Sequence, residues 1–270
     1  MIRNIKDTVT PLKEAAKACA KKQHTVAIEK YLNVAKDLTG KAQYNAVWKA
    51  GYCQTLHARN FKNALSFAKH ITDPYYAKAY QIELLKWAPD SAKQTIALFA
   101  KEDISKWHKE TQAGAYLRRG TAFFLTKNAA GAEADLLNAY KTGSSFTKWT
   151  ACQMLGDVYA NLKNDPVNAE KYYRECMKGF PGKFPAFQSE CNLVKMMIRL
   201  KKTEEAIKLI DSSRSSGIYL ADMLAEKAKI CIAMGKKEMA EAALQKAVRQ
   251  NMHHFQRKRF EKMLNDLQKK

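Results

Sequence analysis

Glycine and proline are scarce in this chain, at 11 and 6 of 270 residues. An all-β fold needs turn residues every 8–12 positions or so, and these are too few to supply them, which leaves helices as the default. No stretch of 18 apolar residues occurs, so a membrane-spanning helix is not expected. The opening MIRNIKDTVTPLKEAAKACAKKQ lacks the apolar core of a secretory signal. Arg3, Lys6, Lys13 and Lys17 are basic enough for an organellar presequence, but Asp7 and Glu14 argue against one, and organellar import is left open. The six cysteines (Cys19, Cys53, Cys152, Cys176, Cys191, Cys231) form no CxxC pair, and read as free, buried thiols in a reducing, cytoplasmic setting. Also absent are GxGxxG, P-loop, HExxH, GxSxG and paired-carboxylate signatures. Neither catalysis, nor a cofactor, nor a metal is therefore expected.

Acid is in deficit: 26 Asp and Glu stand against 47 Lys and Arg, a formal charge of +21. The excess is spread evenly, +11 over residues 1–142 and +10 over 143–270, so there is no basic tail. Such a field favours acidic partners: nucleic acid, an anionic surface or acidic peptides. Lysine supplies 37 of the 47 cations. Because lysine is a poorer bidentate reader of phosphate than arginine, the charge supports general attraction more than specific readout.

What the chain does have is a period. AYLRRGTAFFLTKNAAGAEADLLNAY (115–140) and CQMLGDVYANLKNDPVNAEKYYREC (152–176) share a small residue, an aromatic three positions later, and an alanine opening a second helix. Gly120, Phe123 and Ala132 correspond to Gly156, Tyr159 and Ala169. The alanine recurs 37 residues on at Ala206 and 34 further at Ala240, and Ala27 and Ala64 are also 37 apart. Each unit has two amphipathic segments with apolar residues at i, i+3, i+4 and i+7, so it reads as a helical hairpin. Arg59-Asn60, Lys127-Asn128, Asn164-Asp165-Pro166, Lys201-Lys202 and Gly235-Lys236 mark the turns within hairpins. The small residues let paired helices approach closely while Tyr, Phe and Leu fill the gap to the next unit.

Units are expected at about 10–38, 43–71, 73–101, 110–142, 147–180, 184–216 and 218–250, followed by a helix at 252–270. The third has the least of the Gly/Ala signature; Asp73-Pro74 and Ala88-Pro89-Asp90 bracket it. The last helix turns Met252, Phe255, Phe260, Met263, Leu264 and Leu267 one way and leaves His253, Arg257, Lys258, Lys262 and Lys269 for solvent, as a terminal cap requires. The expected fold is all-α: a solenoid of about seven antiparallel hairpins, with a repeat array over 1–251 and a capping helix over 252–270. The first hairpin has no cap of its own, so self-association or partner docking is expected there.

These residues resemble the tetratricopeptide repeat family. The fifth unit matches by Leu155-Gly156, Tyr159, Ala169, Tyr173 and Pro181, the fourth by Tyr116, Gly120, Phe123, Ala132, Leu136 and Ala139, and the second by Trp48, Gly51 and Ala64, with its glycine slightly out of register. The resemblance implies a right-handed superhelix whose concave groove, lined by first helices, holds a partner's peptide or helix. It places Arg118, Thr121, Asp157, Asn192, Lys195, Arg199 and Lys229 on the groove. Some relatives clamp the acidic tail of a chaperone there; Arg118 sits where a clamp residue would, but Ala15 and Ala16 replace another part. The sixth unit, NLVKMMIRLKKTEEAIKLIDSSRSSGI, is also similar to a pentatricopeptide repeat, an RNA-reading family. A base-by-base code needs the same polar positions in every unit, and these drift here.

Smaller patterns have blander readings. Cys53 and His57 lie four apart on one helix, as in a metal site or a Cys-His couple, but nothing in the sequence indicates two further ligands. Ser66-Phe67-Ala68-Lys69 matches a serine-lysine motif without its accompanying elements. His253 and His254 diverge by about 100° on a helix and cannot easily share a ligand. Trp48, Trp87, Trp107 and Trp149 can stack on bases but fit the repeat core better. The expectation is a non-catalytic scaffold that binds an acidic or amphipathic protein segment in a basic groove. The alternative is an RNA-associated protein that uses its basic surface for phosphate contacts.

Overall fold

The computed structural model describes residues 5–57, 60–85, 90–179 and 186–269, and among them the ordered elements are all helical. None is long and apolar enough to cross a membrane. Arg59, Trp87, Ala88-Pro89 and Pro181 of the sequence reading lie outside the described residues.

The chain forms two compact units, Met1–Gly143 and Ser144–Lys270. The first holds α1 (Ile5–Ala20), α2 (His24–Ala35), α3 (Gly40–Leu56), α4 (Phe61–Ser66, continued by a 3-10 turn to His70), α5 (Pro74–Leu85), α6 (Ser91–Phe99), α7 (Lys109–Leu125) and α8 (Ala129–Thr142). The second holds α9 (Ser145–Asn161), α10 (Pro166–Gly179), α11 (Ala186–Arg199), α12 (Thr203–Ser212), α13 (Gly217–Ala233), α14 (Lys237–Val248) and α15 (His254–Gln268). Odd-numbered helices pair with the even-numbered helix that follows, and in each unit first helices also touch the next first helix: α3 on α5, α5 on α7, α9 on α11, α11 on α13 and α13 on α15. The expected segments hold these helices, although α1 begins at Ile5 rather than near 10 and carries Pro11 within it.

The recurrent alanine is the closest point of each hairpin. Ala27, Ala64, Ala132, Ala169, Ala206 and Ala240 are all wholly buried. Each donates its N–H to the carbonyl four residues back, at Gln23, Asn60, Asn128, Asp165, Lys202 and Lys236. On the facing helix a Cβ at Gly120 would lie 2.9 Å from Leu136 Cγ, and one at Gly156 would lie 2.5 Å from the Tyr173 ring. Gly51 serves a different contact, which explains its register. A Cβ there would meet the hydroxyl of Tyr80, which runs from α5 in between α3 and α4 and donates to the Ala64 carbonyl at 2.6 Å. In the third hairpin Gln94 occupies the alanine's place, its N–H on the Asp90 carbonyl, and it is exposed. That substitution is why no repeat signature is visible there.

The hairpin turns share one backbone device. Lys22, Lys127, Asn164, Lys201 and Gly235 have φ of 60, 61, 54, 59 and 70°. At Lys127 the first helix closes with Lys127 N–H on the Phe124 carbonyl and Asn128 N–H on that of Phe123, and the same pair of bonds recurs at Lys22, Lys201 and Gly235. The next helix then starts with its own cap in three cases. Asn60 accepts from Asn63 N–H, Asn128 from Gly131 N–H, and Asp165 from Val167 and Asn168 N–H.

The cap helix needs one correction. Phe260 and Leu267 are buried, and Met263 and Leu264 pack beside them, but Phe255 is 72% exposed and stacks on its neighbour His253. Five residues before Phe260, Phe255 is turned about 140° from it around the helix, and Arg257 takes the inward place. α15 packs on α13 and α14 and contributes to the second unit's core.

In the second unit Glu170, 7% exposed, accepts from Arg174 at 2.7 Å and Lys202 at 2.9 Å. Burial pushes its carboxyl up, but the two cations overcome this and hold it below the usual carboxylate range. With the folded value depressed, this stabilisation is present at neutral pH and lost as pH falls through that value. Glu170→Gln is expected to lower neutral-pH stability and to flatten the acid limb of a denaturation-versus-pH curve. Lys127→Gly relieves a left-handed lysine at some entropic cost in the unfolded chain. It is expected to raise stability by about 0.5–1 kcal/mol, measured by denaturant unfolding.

Candidate functional site

The first-helix surfaces are stitched by contacts that skip about one repeat, which is where the expected groove residues fall. In the first unit, Arg118 on α7 reaches Glu83 on α5, with Nε–Oε1 and Nη2–Oε2 both at 3.2 Å. Thr121, one turn later, donates to the Leu117 carbonyl at 2.8 Å. Arg118 and Thr121 share a recess of about 160 Å3 with Ile82, Thr95, Ala122 and Leu125.

In the second unit, Asn192 on α11 donates to Asp157 Oδ1 on α9 at 3.2 Å, and the Tyr173 hydroxyl donates to the same oxygen at 2.7 Å. Burial raises the Asp157 carboxyl despite these two donors. Arg199 ends α11 by donating to Asn164 Oδ1 at 2.6 Å and the Ala160 carbonyl at 3.3 Å, so it closes the α9–α10 turn. Lys195 and Lys229 come together. They line a recess of about 200 Å3 with Asp222, Glu226, Arg259 and Met263. Arg259 pairs with Asp222 and Lys229 with Glu226, whereas Lys195 is exposed and makes no ion pair with a described residue.

A further recess, of about 210 Å3, opens on the first-helix surface of the first unit, among α3, α5 and α7. Ala79, Ile82 and Ala115, all buried, form its floor, with Tyr44 and Tyr76 as walls and Lys41, Glu83 and Glu110 at the rim. The Tyr76 hydroxyl donates to Glu110 at 2.5 Å, and this bond holds the Glu110 carboxyl below its usual range. Tyr76 also stacks on His108, whose Nε2 lies 2.9 Å from Asp73. At Gly114 a Cβ would find only Glu83 Oε1, at 3.9 Å, so the helix presents bare backbone to the recess. None of these tyrosines stood out in the sequence; the signal available was their place on first helices one repeat apart.

Arg119, beside Arg118, faces the other way. It makes a bidentate pair with Asp135 on α8, at 2.7 and 2.8 Å, and Asp135 is 4% exposed. Three described tryptophans pack into the fold: Trp107 is buried against Phe99, Trp48 packs on the first unit's core beside Tyr52, and Trp149 covers Gly179. The Ser66 hydroxyl donates to the Asn63 carbonyl at 2.7 Å rather than to Lys69. The cysteines are free and buried, except that Cys19 is half-buried. The pair Cys53 and His57 of the sequence reading has further ligand atoms nearby. Cys19 Sγ lies 3.2 Å from Cys53 Sγ, and the ligand atoms of Cys19, His24 and His57 all lie within 4.8 Å of one another. Cys19 and Cys53 are 34 residues apart, about one repeat, and lie near the ends of successive first helices.

No protein-family model matches the sequence, and no curated protein is similar to it. Solved structures match the fold. A tetratricopeptide repeat protein from Parabacteroides merdae superposes with a TM-score of 0.54 at 14% identity, over 96% of this chain and 99% of that one. A signal transduction ATPase with numerous domains from Pyrococcus horikoshii, which carries a tetratricopeptide repeat sensor, gives 0.62 at 16% identity over 98% of this chain. This chain spans 44% of that protein's length. The fold is thus an all-α, tetratricopeptide-like array of helical repeats.

The two adjacent arginines separate in their expected effects. Arg119→Ala strands the buried Asp135 and should cost about 3 kcal/mol of stability. Arg118→Ala breaks a half-exposed pair and should cost under about 1 kcal/mol. Urea unfolding of the two variants checks the difference.

Proposed function

We propose that this chain is a non-catalytic scaffold whose first-helix surfaces dock segments of partner proteins. The observation that carries this reading is the tyrosine-walled recess among α3, α5 and α7. At about 210 Å3 it is smaller than the 300–1,000 Å3 typical of small-molecule sites, and it suits one large side chain. Its floor is apolar and its rim polar, the anatomy of an anchor pocket for a docked peptide or helix. Chemistry finds little support. Burial pushes the Cys152 thiol up to about 12 and that of Cys191 to about 11, so neither is a thiolate nucleophile at neutral pH.

The fitting partner is an amphipathic segment. On the first unit its apolar side chain fills the recess; on the second unit, taken by itself, acidic groups suit Lys195, which makes no ion pair with a described residue. At Arg118 an acidic residue must displace Glu83, and Asn192 and Arg199 are already engaged. The docking positions we assign are therefore Lys195 and Lys229 in the second unit, with Arg118 and Thr121 beside the recesses of the first.

A second reading has its own observation. Lys22, Lys127 and Lys201 take the left-handed place in their turns, and Lys21, Lys163, Lys236 and Lys237 lie beside such places, all exposed. A left-handed lysine costs roughly 1–2 kcal/mol relative to its right-handed form, and glycine would avoid the cost. A lysine at each of these turns in either unit supports phosphate contacts along the turn edge, the chemistry of an RNA-associated protein.

Capture from cell extract separates the two, with nuclease and salt of about 100 or 500 mM as variables. The control is Gly114→Trp, which fills the recess from a position with free space around its Cβ and so keeps the fold. The scaffold reading expects a partner that survives nuclease and high salt and is lost, by about tenfold or more, from the Gly114→Trp protein. Loss of every partner with nuclease, and equally with Lys127→Glu and Lys201→Glu, establishes the RNA reading in its place.

A further inference from the structure

At one edge of the first unit four soft or borderline metal-ligand side chains meet from three helices. Cys19 lies in the last turn of α1, and the left-handed turn at Lys22 reverses the chain so that His24, the first residue of α2, comes beside it. Cys53 and His57 lie four apart at the end of α3, hence on one face. The sulfurs of Cys19 and Cys53 are 3.2 Å apart. The imidazoles of His24 and His57 stack with centroids 4.0 Å apart and planes within 6°. The ligand atoms of Cys19, His24 and His57 fall within 4.8 Å of one another. His24 Nδ1 is buried from solvent and has no hydrogen-bond partner among the described residues, an unsatisfied acceptor or donor of the kind a bound ion accounts for.

We propose that Cys19, His24, Cys53 and His57 form a Cys2His2 site for zinc(II). Two thiolates at about 2.3 Å from a tetrahedral zinc stand about 3.8 Å apart, and two imidazole nitrogens at about 2.0–2.1 Å from it stand about 3.4 Å apart. The sulfurs therefore open by about half an ångström, and the gaps among Cys19, His24 and His57 close by up to about 1.4 Å. One imidazole turns out of the stack so that both nitrogens face the ion, and Cys53 joins as the sulfur beside Cys19. His57, exposed just beyond the last turn of α3, can supply that movement. The donor set selects the ion: two thiolates and two neutral imidazoles suit a borderline d10 cation and disfavour calcium or magnesium, which take oxygen. Binding displaces one proton from each thiol, and two thiolates with one dication leave a neutral centre. Its role is a clip that fastens the first hairpin to the second, independent of what the first-helix surfaces dock.

The test uses full-length, tag-free protein, stripped with a chelator and kept reduced. Zinc is titrated against a chromophoric competitor, and cobalt(II) serves as the optical probe. The site predicts one equivalent bound with Kd below about 1 µM, a thiolate-to-cobalt charge-transfer band and intense tetrahedral d–d bands. Cys53→Ser and His57→Gln should each weaken zinc binding by about 100-fold or more, since each removes a direct ligand. His57 is exposed, so His57→Gln keeps the fold, and Cys176→Ser, in the second unit, should bind as the parent does. Zinc should also raise the Tm of the parent but not of His57→Gln. Absence of stoichiometric binding in the parent, or unchanged affinity in both ligand variants, overturns the site. So does binding of copper(I) without zinc, or a Cys19–Cys53 disulfide whose reduction restores no zinc binding.

Discussion

Everything in this fold follows from how close two helices can come. A hairpin whose second helix offers a wholly buried alanine, four residues after the turn carbonyl, brings backbones together without a side chain between them. Where the facing position is glycine, the gap closes further, and Tyr173 or Leu136 lies directly on the backbone. The large residues can then be spent between hairpins rather than within them. That economy explains why so little glycine suffices. The chain needs it at helix contacts and at single turns such as Gly235, and it tolerates lysine, asparagine or aspartate at other left-handed positions.

The repeat was legible because its constraint is local and periodic. An alanine every 34 to 37 residues, with an aromatic at fixed offset, marks the contact that defines a hairpin, and six of these alanines are fully buried. Phe255 was misread because apolarity was counted without its angle around α15. The functional surface was less legible for a different reason. The positions facing along the first helices could be named, but whether Arg118 is available depends on Glu83, 35 residues away, and Arg199 on Asn164 at the same interval. Pairings across a repeat become visible only when the period is applied to polar residues too. The same omission concealed Cys19 as the neighbour of Cys53.

The excess positive charge is also distributed by the fold. On the first-helix surfaces cations meet acids: Arg118 with Glu83, Lys229 with Glu226, Arg259 with Asp222. Lysines at the turns instead stand exposed, where solvation is cheap and mutual repulsion is screened beyond about 10 Å. A net charge of +21 therefore coexists with recesses of mixed sign. Such recesses select by shape and pairing, whereas the turn edges attract acid broadly.

The third hairpin departs from the rule that builds the others. With exposed Gln94 where alanine belongs, and with α6 only 9 residues long, it gains the least from its own pairing. In an array of nearest-neighbour contacts the total stability is a sum over links, and a chain of links opens where one is weakest. Under mechanical load or partial denaturation the first unit would part first between α5 and α6, with α6 staying on α7, against which it packs more extensively. The tyrosine-walled recess rests on α5, the partner of α6. Because α5 is held by α3 and α7 and only loosely by its own partner, an incoming segment can shift α5 at the recess with little loss of packing inside a hairpin.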